Sequence, residues 1–289
     1  MVTIRQIALL LTLSLLALLP SGVQAGMRAS DHVGSYATSL FAQSASEELQ
    51  RDFPSRDVSF LLFDAHTGRL LAARWDHPDV PIPMGSLLKP FVALAYGERQ
   101  NFHYPRHVCR GTSSGCWLPR GHGDLDLAAA IAYSCNSYFR MLSANLTATD
   151  VSPTAVHFGL ELPAQEASGA ELAGLGTRWQ TSPVRLAHGY LELVHRRQQP
   201  GVDQVVHGMA QSARYGTGAE VHRDFPTHDV LVKTGTAMCT HSKRAPGDGF
   251  VVALTPADDP QILLMVRVHG APGAQAAKIA GQMLHRIAE

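Results

Sequence analysis

The apolar positions of the chain change period from element to element, and each period predicts a different structure. Over residues 34–53, Tyr36, Leu40, Phe41 and Leu49 recur at helical spacing, which predicts an amphipathic helix. Residues 58–63 and 70–75 are short apolar runs separated by Asp64-Ala65-His66-Thr67-Gly68, a segment with turn chemistry, so they read as a β-hairpin. From Met84 to Phe91 the chain passes from loop to apolar helix, with Pro90 early enough that its missing N–H costs little. Residues 109–123 read as a loop. Asp124 then stands where the cap of a short Ala-rich helix is expected, and that helix ends at Ser134-Cys135-Asn136, followed by another over 138–146.

Beyond a stretch rich in Ala, Gly and Glu, Thr181-Ser182-Pro183 supplies a cap and a first-turn proline for a helix reaching about His195, and residues 203–214 predict the next. The last quarter differs in kind. Residues 230–234, 249–254 and 262–268 are apolar and β-branched and read as strands, with Thr255-Pro256-Ala257-Asp258-Asp259-Pro260 as the turn between the last two. Residues 273–288 close the chain as a helix. Two strands at the front, three at the back and helices between predict one antiparallel sheet built from both termini. The central helices then form a separate lobe, with a cleft between lobe and sheet. No internal repeat or low-complexity linker divides residues 26–289, which are expected to form a single domain.

Composition and charge narrow the function. At 289 residues and 45% hydrophobic the chain can bury a sizeable core. Its 24 basic and 24 acidic residues cancel, so no global field draws it to nucleic acid or an anionic membrane. Fifteen histidines lack metal-ligand spacing and no paired Cys-x-x-Cys occurs, so neither a metal nor another cofactor is expected. At the N-terminus Arg5, an apolar run over 7–19, the Pro20-Ser21-Gly22 break and Val23-Gln24-Ala25 have the form of a signal peptide over residues 1–25. The protein is therefore expected to be exported, periplasmic or otherwise extracytoplasmic, with membrane contact only if the signal is retained. An oxidising compartment permits disulfides, and Cys109 and Cys116, which bracket a Gly/Ser-rich loop, are the natural pair. Cys135 and Cys239 are expected as free small hydrophobes, or as a pair if the fold unites their surroundings.

The candidate chemistry begins at Ser86-Leu87-Leu88-Lys89, where a hydroxyl and an amine three residues apart share one face of a starting helix. A serine is a weak nucleophile until a neighbouring base takes its proton, and a desolvated lysine can serve as that base. Two further short motifs follow in order: Ser134-Cys135-Asn136 at a turn between helices, and Lys233-Thr234-Gly235-Thr236 at the end of a strand. There Gly235 is expected to let a ligand approach the backbone, and the threonines add hydroxyl donors. Gly111-Thr112-Ser113-Ser114-Gly115 has the letters of a nucleophile elbow. It lacks the strand before and the helix after that an elbow requires.

Together the three motifs resemble those of the penicillin-recognising serine acyltransferases: penicillin-binding protein transpeptidases, D,D-carboxypeptidases and serine β-lactamases. Gly121-His122-Gly123, Thr181-Ser182-Pro183 and Val232-Lys233-Thr234-Gly235-Thr236-Ala237 strengthen the likeness to transpeptidases, which runs over about residues 58–287. The resemblance implies a β-lactamase/transpeptidase-like α/β fold of the α+β type. It also implies that Ser86 attacks the carbonyl between two D-alanines of a peptidoglycan stem peptide while Lys89 takes its proton. Ser134 would relay a proton to the leaving amine, with Lys233 supporting it electrostatically. Asn136 would bind the substrate amide, Thr234 and Thr236 the terminal carboxylate, and the N–H groups of Ser86 and Thr236 the developing oxyanion. Peptidoglycan stem peptides, β-lactams as covalent ligands, and cell-wall or division proteins are the implied partners.

The departures from the family pattern set the alternatives. No glycosyltransferase segment precedes Ser86, so glycan polymerisation is not expected. No Glu-x-x-Leu-Asn stands between the second and third motifs, and Tyr215-Gly216-Thr217 and Ser134-Cys135-Asn136 lack the class D forms Tyr-Gly-Asn and Ser-x-Val. A class D-like β-lactamase is therefore a secondary reading, beside a sensor or scaffold that binds muropeptide or β-lactam without turnover.

Overall fold

The computed structural model describes residues 23–240 and 246–289, with side chains from Thr38 onward. The apolar run over 7–19 lies outside the described residues. Helix α1, Val23–Asp52, includes Val23-Gln24-Ala25 as its first described residues. Among the described residues no helix is long and apolar enough to cross a membrane. The chain divides into two units between Phe41 and Ala42, and every strand among the described residues belongs to the second, residues 42–289.

The expected sheet is present. Strands β1 (Val58–Asp64) and β2 (Leu70–Arg74) form the hairpin. After β3 (Ile82–Pro83) come a single 3-10 turn, Gly85–Leu88, and helix α2 (Lys89–Arg99). Strands β4 (His107–Cys109) and β5 (Gly123–Leu125) pair with each other, and are followed by helices α3 (Leu127–Ala132), α4 (Asn136–Ser143), α5 (Ala148–His157) and α6 (Gly169–Leu172). Strand β6 (Gln180–Thr181) pairs with β3, and helices α7 (Pro183–His195), α8 (Val202–Tyr215) and α9 (Ala219–Asp224) complete the middle of the chain. Strands β7 (Leu231–Ala237), β8 (Asp248–Thr255) and β9 (Ile262–His269) and helix α10 (Gly273–Ala288) end it. The main sheet runs β2-β1-β9-β8-β7, all antiparallel, so the first long strand lies beside the last.

The unbroken apolar runs of β1, β8 and β9 follow from a sheet covered on both faces, since alternate side chains then serve two different cores. Phe60, Leu62, Val251, Ala253, Leu264 and Val266 join a cluster completed by α1 (Ala45, Leu49) and α10 (Ala276, Ala280, Met283). Leu61, Phe63, Phe250, Val252, Leu263 and Met265 join a larger cluster that reaches through the helices of the middle. Helix α2 is the axis of that second core: Phe91 meets Phe158 at 5.3 Å and Tyr190 at 5.4 Å between ring centroids, and Phe91, Val92 and Ala93 are fully buried.

Several boundaries differ from expectation, each for a local reason. Asp126, not Asp124, caps α3, its carboxylate accepting from Ala129 N–H at 2.9 Å. Asp124 instead sits on β5 and pairs with Arg106 at 2.8 Å. Lys233-Thr234-Gly235 lies within β7 rather than at its end, because the pairing with β8 continues to Ala237. Helix α5 has no counterpart among the expected elements, although Thr147 and Asp150 form a reciprocal capping box that announces it in sequence. The expected Cys109–Cys116 disulfide is absent, and all four cysteines are buried.

Because α2 carries both the lobe packing and the first motif, truncating its anchor should be costly. Phe91→Ala is expected to lower stability by about 3–5 kcal/mol in urea denaturation. A loss below about 1 kcal/mol by the same order-of-magnitude rule would show that α2 is not the axis of this core.

Candidate active site

The three motifs meet at one place. The turn Gly85–Leu88 is pressed against β7, and two glycines make this possible. Gly85 adopts φ +57°, in the left-handed region, and a Cβ there would lie 2.4 Å from the Thr236 carbonyl oxygen. A Cβ on Gly235 would lie 2.8 Å from the Met84 carbonyl oxygen and 3.1 Å from the Leu87 side chain. Gly235 therefore admits the Ser86 turn itself, in addition to lining the cleft. From the opposite side the buried Tyr190 hydroxyl donates to the Leu87 carbonyl at 2.7 Å. Ser86 is thus carried on a turn fixed from both flanks.

The second motif is held by backbone geometry that serine rarely adopts. Ser134 has φ +49°, and its N–H bonds the Ile131 carbonyl at the end of α3. This left-handed residue ends α3 and lets Asn136 open α4, so the Ser134 and Asn136 side chains both enter the cleft. Lys89 Nζ donates to the Ser134 carbonyl at 2.7 Å, to Asn136 Oδ1 at 2.7 Å and to Ser134 Oγ at 3.4 Å. Lys233 Nζ donates to the same Oγ at 2.9 Å and to the Thr234 carbonyl at 2.8 Å. One hydroxyl thereby accepts from two fully buried amines.

Ser86 lines the same cleft, of about 350 Å³, together with Ser134, Asn136, Thr234, Gly235 and Thr236. All eight residues expected from the sequence converge here, with one difference in wiring. Spacing along the helix puts Ser86 and Lys89 in contact; among the described residues the amine instead directs its hydrogen bonds to Ser134, Asn136 and the Ser134 carbonyl. A buried amine takes the strongest acceptors within reach, and the carbonyl and amide oxygens satisfy it better than a single hydroxyl. The Phe139 ring, 5.3 Å from Lys89 Nζ, closes another side.

Burial dominates the electrostatics. It lowers Lys89 to about 7, opposed by Cys135 and Cys116 and reinforced by Arg140. Lys233 is pushed well below the ordinary lysine range by burial and then by the charge of Lys89. An amine neutral near pH 7 can accept a proton from a hydroxyl, which an exposed lysine cannot do appreciably.

Other residues of the cleft escape a reading of the sequence. Thr234 Oγ1 donates to Thr217 Oγ1 at 2.6 Å, and Thr217 Oγ1 donates on to the Ala132 carbonyl at 3.3 Å. This chain ties the third motif to the end of α3. Thr236 Oγ1 accepts from Gly273 N–H at 2.9 Å, which leaves its own proton available to a ligand. Trp117 stands at the rim, half exposed, with its Nε1–H on the Tyr133 carbonyl at 3.2 Å. In the sequence Thr217 stands out only by its departure from Tyr-Gly-Asn, and its partners come from two distant segments.

A family model for the penicillin-binding protein transpeptidase domain matches residues 58–289. The chain belongs to this family. Its fold is similar to penicillin-binding protein 2 of Pseudomonas aeruginosa in complex with WCK 5153, at 20% identity over 86% of this chain and 76% of that one (TM-score 0.68). It is also similar to the apo transpeptidase domain of Burkholderia pseudomallei penicillin-binding protein 3, at 15% identity over 88% and 92% of the two chains (TM-score 0.68). The likeness to Helicobacter pylori penicillin-binding protein 2, solved in complex with MreC, is 17% over 83% of this chain (TM-score 0.70), which spans 61% of that one. No curated protein matches the chain by sequence. The expected transpeptidase-like α+β fold is therefore the fold of this chain.

For a transpeptidase-family domain with Lys89 held near 7, the acylation rate by a fluorescent penicillin should rise with pH through about 7 and then level off. The sign follows from the neutral amine being the base, and that form predominates only above this value. A rate flat across neutrality, or falling as pH rises, would remove Lys89 from that role.

Proposed function

We propose that the chain is an exported serine D,D-acyltransferase that acts on D-Ala-D-Ala peptidoglycan stem peptides and is acylated by penicillins. The observation that carries this reading is the single Ser134 hydroxyl held between the two buried lysine amines, in the cleft that Ser86 lines. Family membership supports a D,D-transpeptidase type of reaction.

In this reading neutral Lys89 accepts the proton of Ser86 Oγ as that oxygen bonds to the carbonyl carbon of the penultimate D-alanine. The C–N bond to the terminal D-alanine then breaks. Its nitrogen takes the proton from Ser134, which is reprotonated from Lys89 along the hydrogen bond between them. Asn136 orients the substrate amide, Thr234 and Thr236 bind the terminal carboxylate, and Lys233 supports Ser134 through the hydrogen bond to its Oγ. Preorganised donors at the developing oxyanion contribute on the order of 3–4 kcal/mol each in acyl transfer, and the N–H groups of Ser86 and Thr236 are assigned that role. The acyl group passes to an amine in transpeptidation or to water in carboxypeptidation. Export rests on the sequence over residues 1–25, and the MreC complex of the H. pylori relative makes cell-wall assembly proteins the class of partner to test.

Intact mass spectrometry after incubation with a penicillin is expected to show one stable adduct on the wild type and none on Ser86→Ala. A wild type left unmodified at saturating reagent would end the acyltransferase reading. Release of D-alanine from a D-Ala-D-Ala pentapeptide, with and without an amine acceptor, then separates transpeptidase from carboxypeptidase. An adduct without any release would instead identify a binder that does not turn over.

A further inference from the structure

The two cysteines expected to form a disulfide take part in a different arrangement. Cys109, Cys116, His122 and Cys135 come together with one ligand atom from each, all within 4.8 Å of one another. Cys116 Sγ lies 3.8 Å from Cys135 Sγ, and His122 Nδ1 lies 3.4 Å from Cys116 Sγ and 3.6 Å from Cys109 Sγ. These three separations are close to those expected for edges of a tetrahedron around a zinc ion. With Zn–S of about 2.3 Å and Zn–N of about 2.0–2.1 Å, tetrahedral angles put sulfur atoms roughly 3.8 Å apart and sulfur and nitrogen roughly 3.6 Å apart. The sulfur separation is far outside a disulfide bond of about 2.0 Å.

We infer that Cys109, Cys116, His122 and Cys135 form a structural site for one tetrahedrally coordinated divalent zinc ion beside the active-site cleft. The three thiols are buried, as a closed structural site requires. The backbone N–H groups of Gly111 and His122 favour the Cys109 thiolate, the kind of support a thiolate ligand needs. His122 is clamped between Tyr133, stacked at 5.1 Å, and Trp117, edge-on at 5.3 Å, which fixes the direction of Nδ1. Binding releases the thiol protons, three at most, so that three thiolates and one divalent cation leave a net charge of about −1.

The ligands come from separate segments that need holding together. Cys109 ends β4, Cys116 and His122 lie on the loop between β4 and β5, and Cys135 sits between the two cleft residues Ser134 and Asn136. The metal ties the rim loop that carries Trp117 to the left-handed turn at Ser134. The spacing Cys-x6-Cys-x5-His-x12-Cys matches no familiar zinc motif, which is why the sequence alone does not reveal it.

Expression of the full chain with zinc, followed by elemental analysis, is expected to find about one zinc per chain. X-ray absorption at the zinc edge should give a shell of three sulfurs and one nitrogen. Cobalt substitution should give thiolate-to-cobalt charge transfer and intense tetrahedral ligand-field bands. Cys116→Ser and Cys109→Ser should lose most of the metal, whereas Cys239→Ser should keep it. If the variants do not fold, the absorption spectra of the wild type decide alone. A zinc-free protein after exposure to excess zinc, an oxygen-dominated shell, or a Cys116–Cys135 or Cys109–Cys116 disulfide in peptide mapping would overturn the site.

Discussion

The candidate active site depends on the cost of burying two amines. Lys89 and Lys233 are both shut away from water, where an ammonium without partners is strongly unfavourable, so the surrounding chain has to supply acceptors or the groups must give up their protons. It does some of each. Carbonyl oxygens of Ser134 and Thr234 and the amide oxygen of Asn136 receive the amines, and the remaining acceptor, Ser134 Oγ, is shared. Sharing fixes that hydroxyl in the cleft, while burial brings Lys89 into the range where proton exchange is possible at neutral pH. The left-handed turn at Ser134 and the contact of the Ser86 turn with β7 are the backbone conditions for this polar cluster.

Patterns confined to a few residues are the ones legible in the sequence. The strands with continuous apolar runs, the Ser182 cap with its first-turn proline, and the three short motifs are local, and each stands in the structure at nearly the expected place. Their convergence is legible only through order and resemblance. What a local reading misses depends on partners far along the chain. Asp124 has the chemistry of a helix cap, and the β4–β5 pairing, invisible in two three-residue strands, claims it instead while Asp126 caps α3. Likewise helical spacing gives the Lys89 amine to Ser86, yet acceptors more than forty residues away claim it. Thr217 belongs to the cleft because α8 ends beside α3, and no composition or period predicts that.

The cysteines illustrate the same limit from the other side. Two thiols flanking a short loop suggest a covalent clasp when only spacing is known. In space, Cys135 and His122 complete a four-atom cage, so the same loop acquires a different kind of fastening, one that depends on metal supply rather than on oxidation.

The adjacency of β1 and β9 has a temporal meaning. Ser59 and Arg267 meet across that pairing although they are 208 positions apart in the chain. A contact so distant carries a large loop-closure entropy and forms only when the C-terminal strand is available. Strand β7, against which the Ser86 turn rests, reaches β1 only through β8 and β9. A chain emerging from its N-terminus therefore holds Ser86 long before it holds the strand on which the Ser86 turn rests. The cleft is among the last features to be completed, and an unfinished chain carries Ser86 without the β7 residues that line the cleft beside it.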